Sequence, residues 1–322
     1  MTGGRQAIGL DVGGTKIAAA RVAADGSILA RERVPSPAAE PGEILHAAVQ
    51  AARAVATDDV EAVGIGAAGL VESATGILTF APNLAWRGVH LIEHVGGALG
   101  LPAIADNDAT VAAWGEYRFG AGRGHRHLLL VAVGTGIGGG IVTDGRIYRG
   151  AHGYAAEIGH LIVEPGGPLC GCGNLGCWEQ VASGQAIQRA GREAAERYPH
   201  SGIARLAEGV PARVTGSVVS RAAQDGDETA RGILAKVGRR LGEGIAGLVN
   251  VLDPSAVVLG GGVAAAGDLL LEPARRAFAQ AVDASDLRPH VPILAAELGN
   301  DAGVVGAAAL ALDEVAGPGA SA

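Results

Sequence analysis

Three features of the chain predict an α/β fold made of two related domains that face each other across a cleft. The first is a repeat. Ala7 to Val12 reads as an apolar strand, Gly13-Gly14-Thr15-Lys16 as a turn and Ile17 to Val22 as a second strand; the same order returns at Leu128 to Val133, Gly134-Thr135-Gly136 and Ile137 to Val142. Both copies run into an Asp-Gly turn, Asp25-Gly26 and Asp144-Gly145. Self-similarity on this scale points to a duplicated unit, against the plainer reading of two unrelated hairpins. The second feature is the alternation of strands and helices along the whole chain, the order of proteins with buried sheets. The third is glycine, 53 of 322 residues, which gathers at Gly13-Gly14, Gly134 to Gly140, Gly166 to Gly176 and Gly260-Gly261-Gly262 rather than scattering.

The remaining elements follow from spacing. Apolar residues at helical intervals make Ile44 to Val55 an amphipathic helix. Val60 to Ala67 is a buried strand closed by Gly69. Leu91 to Leu99 reads as a helix, Ala103-Ile104-Ala105 as a short strand, and Ala109 to Phe119 as a helix for which Asp106 is a suitable cap. The longest helix runs over 228–251, with Ile233, Leu234, Val237, Leu241, Ile245 and Leu248 on one face, until Asp253-Pro254 stops it. Ala256 to Leu259 is a strand entering the last glycine triplet, Pro292 to Ala295 is a final strand, and Ala302 to Leu312 is a helix. The expected division is a smaller domain over 1–120, completed by a C-terminal helix at about 301–322, and a larger one over 121–300.

Composition narrows the function classes. A chain of 322 residues that is 48% hydrophobic carries enough apolar surface for two cores and is not disordered. The net charge is −8 and no basic run interrupts it, so no nucleic-acid partner is expected. The segment before Ile8 is too short and polar for a signal peptide, and the longest apolar run, Leu128 to Val142, is too short and glycine-rich to span a bilayer. Cysteines that cluster rather than pair fit a reducing compartment, and a cytoplasmic enzyme or sensor is expected.

All three cysteines fall in Cys170-Gly171-Cys172-Gly173-Asn174-Leu175-Gly176-Cys177, with His160 ten positions upstream. Three thiolates and one imidazole match a closed tetrahedral Zn²⁺ site, and the glycines suit a chain folding tightly round an ion. A chance cluster of small buried cysteines is the competing reading. Glu157 and Glu179 flank the segment, and a purely structural metal knot has no need of two carboxylates.

The two glycine turns suit a polyphosphate, because bare backbone brings its N–H groups close to phosphate oxygens. Asp11, at the end of the first strand, is placed to hold Mg²⁺ through water, Thr15 offers a hydroxyl and Lys16 a charge. The pattern is not a Walker A loop, and a dinucleotide fingerprint would need a strand-to-helix context. In Asp106-Asn107-Asp108, a carboxylate at a positive helix end stays ionised and accepts a hydroxyl proton in phosphoryl transfer; dipole complementarity alone also accounts for an Asp there. Asn107 and Asn83 carry amides that bond sugar hydroxyls or serve turns.

The chain resembles the ROK sugar kinases, which share the actin-like and hexokinase-like ATPase fold. The resemblance covers nearly its whole length. It rests on Leu10-Asp11-Val12-Gly13-Gly14-Thr15-Lys16, Gly134-Thr135-Gly136-Ile137-Gly138-Gly139-Gly140, Asp106-Asn107-Asp108-Ala109, Glu157-Ile158-Gly159-His160 and Cys170 through Trp178-Glu179. Within the family it is similar to the glucokinase branch. The resemblance implies an ATP-dependent kinase for the glucose 6-hydroxyl, with Asp108 as catalytic base and Asn107 on the 3- and 4-hydroxyl side. Glu157, His160 and Glu179 would hold the far end of the ring. His160, Cys170, Cys172 and Cys177 would bind Zn²⁺, and Asp11 would position Mg²⁺. Gly13 to Thr15 and Gly134 to Gly136 would hold ATP phosphates, and Gly261-Gly262 would face the nucleoside. A homodimer or homotetramer is expected on the same ground.

Other readings stay open at this stage. They are a ROK kinase for N-acetylmannosamine or fructose, a sugar-responsive repressor, and a zinc-binding protein without catalysis. The first strand is expected to start by about residue 7, so no DNA-binding domain is expected in this sequence ahead of it.

Overall fold

The structure, a computed structural model, describes residues 4–37, 41–81, 86–262 and 266–316. The strands are β1 (Gln6–Val12), β2 (Lys16–Ala23), β3 (Ile28–Pro35), β4 (Val60–Ala67), β5 (Leu70–Glu72), β6 (Ile77–Ala81), β7 (Trp86–His90), β8 (Ala103–Asn107), β9 (Leu128–Val133), β10 (Ile137–Thr143), β11 (Arg146–Ile147), β12 (Ala256–Gly260) and β13 (Ile293–Ala295). The α-helices are α1 (Pro41–Val55), α2 (Gly97–Leu99), α3 (Asp108–Phe119), α4 (Glu179–Ala182), α5 (Gly184–Arg197), α6 (Gly202–Leu206), α7 (Gly216–Gln224), α8 (Glu228–Leu252), α9 (Asp268–Ala281) and α10 (Ala302–Ala316). The chain divides into two compact units. One comprises residues 1–130, 139–156 and 296–322, the other 131–138 and 157–295.

The repeat read from the sequence reappears in topology. One sheet has the order β3-β2-β1-β4-β8 and the other β11-β10-β9-β12-β13, so each places its first strand at the centre, its hairpin partners on one side and two later strands on the other. In the first sheet β1 pairs antiparallel with β2 and parallel with β4, and β4 pairs parallel with β8. A three-stranded antiparallel sheet, β5-β6-β7, accompanies it.

Strand periodicity sorts β1 between two cores. Ile8, Leu10 and Val12 pack with Ile44, Ala48 and Val49 of α1, whereas Ala7 packs with Val304, Val305 and Ala308 of α10. Gly9 and its register partner Gly64 lie on the α10 face, where a Cβ would collide with the carbonyl oxygens of Val304 and Ala307. These two glycines let the C-terminal helix lie directly on the sheet, and Asp11 follows Gly9 on that same face.

The structure changes two expectations and adds an edge strand. Residues 91–99 are not a regular helix: a π-helix, Ile92–Gly96, precedes α2. Gly96 lies so close to β8 that a Cβ on it would sit 2.8 Å from that of Ala103. The strand expected at 103–105 continues through Asn107, which moves the helix cap one residue along. β3 alternates exposed and half-buried positions as an edge strand, with Arg31 and Arg33 paired to Asp301. Among the described residues no helix is long and apolar enough to cross a membrane.

Candidate active site

In the first unit, Asp11, Gly66 and Asp106 form one cross-strand row over β1, β4 and β8. A Cβ on Gly66 would lie 3.5 Å from the Asp108 Cα and 2.6 Å from a Val111 methyl, so glycine there admits the start of α3. This brings the carboxyls of Asp11 and Asp108 close enough to repel. Burial and the Asp108 charge raise the Asp11 carboxyl to about 6, against the pull of Lys16 and Arg33. Gly303, on the first turn of α10, is also against Asp11: a Cβ there would sit 3.2 Å from the Asp11 Cγ.

Asp108 does not sit in the ionising environment expected of a helix end. Its Oδ1 accepts the Ala109 N–H at 2.8 Å, but burial outweighs this bond and raises the carboxyl above the ordinary range. A raised pKa makes the ionised group a stronger base. The cap is Asn107, not Asp106. Asn107 is extended (φ −62°, ψ 146°), and its Oδ1 accepts the N–H groups of Ala109 and Thr110 at 2.9 and 3.1 Å. Its Nδ2 donates to Gly69 O at 3.1 Å, and the Asn107 side chain also hydrogen-bonds the Asp108 carboxyl. Asp106 is engaged elsewhere, with the Arg149 Nε at 2.6 Å.

The first glycine turn is closed by the Gly13 N–H donating to Lys16 O at 3.0 Å. Thr15 O accepts the Ser36 N–H at 3.1 Å, and the N–H groups of Gly14 and Thr15 meet no backbone acceptor among the described residues. Thr15 and Lys16 are exposed. Asn83 lies outside the described residues.

The second unit builds its site round the other turn. The Gly134 N–H donates to Gly136 O at 3.0 Å. The first N–H groups of α5, from Gly184 and Gln185, donate to Gly134 O and Thr135 O at 2.9 and 3.2 Å. With the carbonyls committed to a helix start, the N–H groups of Thr135 and Gly136 are left without a backbone acceptor among the described residues. Gly261, at φ +88°, passes so near β9 that a Cβ would collide with Val133 O, whereas Gly262 faces open space.

Glu179 opens α4 and rests on the turn itself: a Cβ on Gly136 would collide with its Oε2. A Cβ on Gly159 would collide with Ile137 O, which seats the Glu157-to-His160 segment on the same turn. Neither apposition is visible in sequence spacing. The His160 Nε2 lies 3.9 Å from Glu157 and its Nδ1 3.9 Å from Glu179.

Four donor atoms, from His160, Cys170, Cys172 and Cys177, lie within 4.8 Å of one another. The His160 Nδ1–Cys170 Sγ and Cys172–Cys177 Sγ distances are both 3.6 Å. Tetrahedral Zn²⁺ with Zn–S near 2.3 Å and Zn–N near 2.0 Å sets such edges at about 3.5–3.8 Å, so the donor set suits that ion. Gly173 and Gly176 take φ of +93° and +78°, the freedom the tight loop requires. Burial pushes the Cys170 thiol up to about 12, with Glu179 3.0 Å away, so a thiolate there at neutral pH needs a cation. The loop is anchored by the buried Trp178, whose Nε1 donates to Arg240 O at 2.9 Å and whose ring fills the space beside Gly244.

Comparison with known proteins finds relatives over nearly the whole chain. The profile of the ROK family matches residues 7–314. The chain is 43% identical over 308 residues to a glucokinase of Streptomyces coelicolor, covering 94% of this chain and 96% of that one. It is 35% identical over 310 residues to an N-acetylmannosamine kinase of Escherichia coli, covering 95% and 98%. A crystal structure of a ROK family glucokinase from Streptomyces griseus in complex with glucose and AMPPNP superposes with a TM-score of 0.87 at 44% identity, over 95% of this chain and 99% of that one. The actin-like ATPase fold expected from the sequence is the fold of this protein. The chain belongs to the ROK family.

Proposed function

We propose that the protein is an ATP-dependent glucokinase that transfers the γ-phosphoryl group of ATP to the glucose 6-hydroxyl. The observation that carries this reading is the half-buried Asp108 carboxyl at the start of α3, beside Asp11 and with raised basicity, in a chain so similar to glucokinases. Asp108 accepts the 6-hydroxyl proton as the oxygen attacks phosphorus. The bond to the new oxygen forms, the bond to the β-phosphate oxygen breaks, and ADP leaves. The amide groups of Gly14, Thr15, Thr135 and Gly136 hold phosphate oxygens, with Lys16 adding charge. The like-charged pair Asp11 and Asp108 fits a divalent cation; Asp11 would hold Mg²⁺, which would neutralise charge on the phosphates.

Glu157, His160 and Glu179 read the sugar, and His160, Cys170, Cys172 and Cys177 hold a structural Zn²⁺. If Nδ1 bound the metal, the His160 Nε2, 3.9 Å from Glu157, would remain for a sugar hydroxyl. Gly136→Ala should displace Glu179 and raise KM for glucose by roughly 10-fold or more, within the range for a misplaced hydroxyl partner. Glu179→Gln should do the same with KM for ATP little changed. Steady-state kinetics with each substrate varied in turn checks this; a change confined to KM for ATP would detach Glu179 from the sugar. A cytoplasmic homodimer or homotetramer belongs to the same proposal.

N-acetylmannosamine is the competing hexose, since a relative at 35% identity is a kinase named for it. A panel of glucose, mannose, 2-deoxyglucose, fructose and N-acetylmannosamine, offered with ATP or polyphosphate and read by ADP or donor consumption, separates the two. Glucose with ATP should give the highest kcat/KM. N-acetylmannosamine ahead of glucose would keep the kinase and overturn the glucose assignment.

A further inference from the structure

The first residue of the Asp106-Asn107-Asp108 triplet does not cap the helix and is engaged by a partner distant in sequence. Its side chain is 1% exposed, yet it is a carboxylate. Oδ1 accepts the N–H of Asn107 at 2.9 Å, and Oδ2 accepts the Arg149 Nε–H at 2.6 Å. Burial raises the Asp106 carboxyl above the ordinary range, and the Arg149 guanidinium pulls against that rise. An ion at this depth persists only with such a partner.

Arg149 lies on the segment that follows β11. Its carbonyl accepts the Ala155 N–H at 3.2 Å, which closes 149–155 into a loop. Tyr148 N–H donates to Ile141 O at 2.8 Å, and the Tyr154 hydroxyl meets that of Thr79 at 2.8 Å. A Cβ on Gly153 would sit 2.7 Å from both Ser73 N and Val71 O, which fits the loop closely to β5. The loop that carries Arg149 is thus fixed on both flanks and can act as a rigid mount. Glu314, 3.9 Å from the Arg149 Nη2 and half exposed, is a secondary partner.

We propose that Arg149 is a positioning residue for phosphoryl transfer: its guanidinium clamps Asp106 and thereby fixes the strand-to-helix junction that presents Asn107 and Asp108. This rests on the assignment of Asp108 as base. The junction is also held by Asn107, which caps α3 and donates to Gly69 O, and the Asp106–Arg149 pair adds an ionic tie that joins it to the 149–155 loop. A displacement of about 1 Å at a reacting group costs up to roughly 10²-fold in rate.

The test uses the full-length, zinc-loaded protein and the variants Arg149→Met, Arg149→Lys and Arg149→Met/Asp106→Asn. Arg149→Met should lower kcat by roughly 10–10²-fold, leave KM for ATP within about two-fold and lower the melting temperature, since it strands a buried charge. The double variant removes that charge; its melting temperature should recover while kcat stays low, because a neutral pair lacks the directed clamp. Recovery of kcat together with melting temperature would overturn the proposal and leave the pair a purely structural role. If Arg149→Met does not fold, Arg149→Lys decides: lowered kcat at unchanged melting temperature supports the clamp, and unchanged kcat overturns it. Asp108→Asn, measured alongside, separates the two levels. If it retains turnover, the base assignment fails; if it is inactive while every Arg149 variant keeps wild-type kcat, only the clamp fails.

Discussion

Asp108→Asn should lower kcat by roughly 10²–10⁴-fold, the range for a positioned general base, while making the folded protein more stable at neutral pH. The two effects have one cause. Burial penalises the ionised carboxyl in the folded chain and not in the unfolded one, so the folded pKa is raised. An acid with a raised folded pKa destabilises the fold above that pKa, and the penalty fades as pH falls through it. The isosteric amide never carries the charge and still accepts the Ala109 N–H through its oxygen. The melting-temperature gain should therefore be largest at neutral pH and close as pH approaches about 4, the unfolded-state value. Thermal melts of both proteins across pH, without nucleotide or added magnesium, check the sign. A variant with near-full turnover, or one less stable at neutral pH, would contradict the assignment. The same raised pKa places the acid limb of kcat above the usual carboxylate range.

Removing zinc should have the other large effect. The protein purified without chelator should hold about one Zn²⁺ per chain, and Cys172→Ser should lose metal and stability together, because the binding energy of a closed Cys₃His site is folding energy. The path of the damage is visible. Cys177 is followed by Trp178, buried against Gly244 and bonded to Arg240 O, so a loosened loop frees the indole from α8. Glu179 comes next and rests on Gly136, so KM for glucose should rise before the protein unfolds. Metal analysis, melting and sugar kinetics on one preparation check all three. Iron in place of zinc, or a zinc-free protein with full activity and stability, would contradict the metal reading.

Much of the fold was legible because its elements carry unambiguous periods. Short apolar runs bounded by glycine turns read as buried strands, and β1, β4 and β9 lie where those runs are. The long α8 announces itself by its apolar face, and Asp253, at φ +44°, ends it. β3 was not read as a strand because its alternation is weak and carries Arg31, Glu32 and Arg33, the charges of an edge. The site divides in the same way. Backbone chemistry at the glycine turns, and metal chemistry at Cys170, Cys172 and Cys177, depend on residues close in sequence. The roles of Asp106 and Glu179 depend on partners distant in sequence, Arg149 and Gly136, that only folding brings to them. The cap misreading has a local origin: Asp106 and Asn107 are both good caps, and the extra length of β8 decides between them.

The central claim is a transfer of phosphoryl from ATP to one particular oxygen of glucose. The most direct measurement incubates the protein with ATP, Mg²⁺ and uniformly ¹³C-labelled glucose and follows ³¹P and ¹³C NMR spectra together. Phosphorus coupled to carbon 6, with ADP formed in equal amount and neither seen with Asp108→Asn, is the predicted result. Phosphate on another carbon, or ADP released with free phosphate and unmodified glucose, would contradict it.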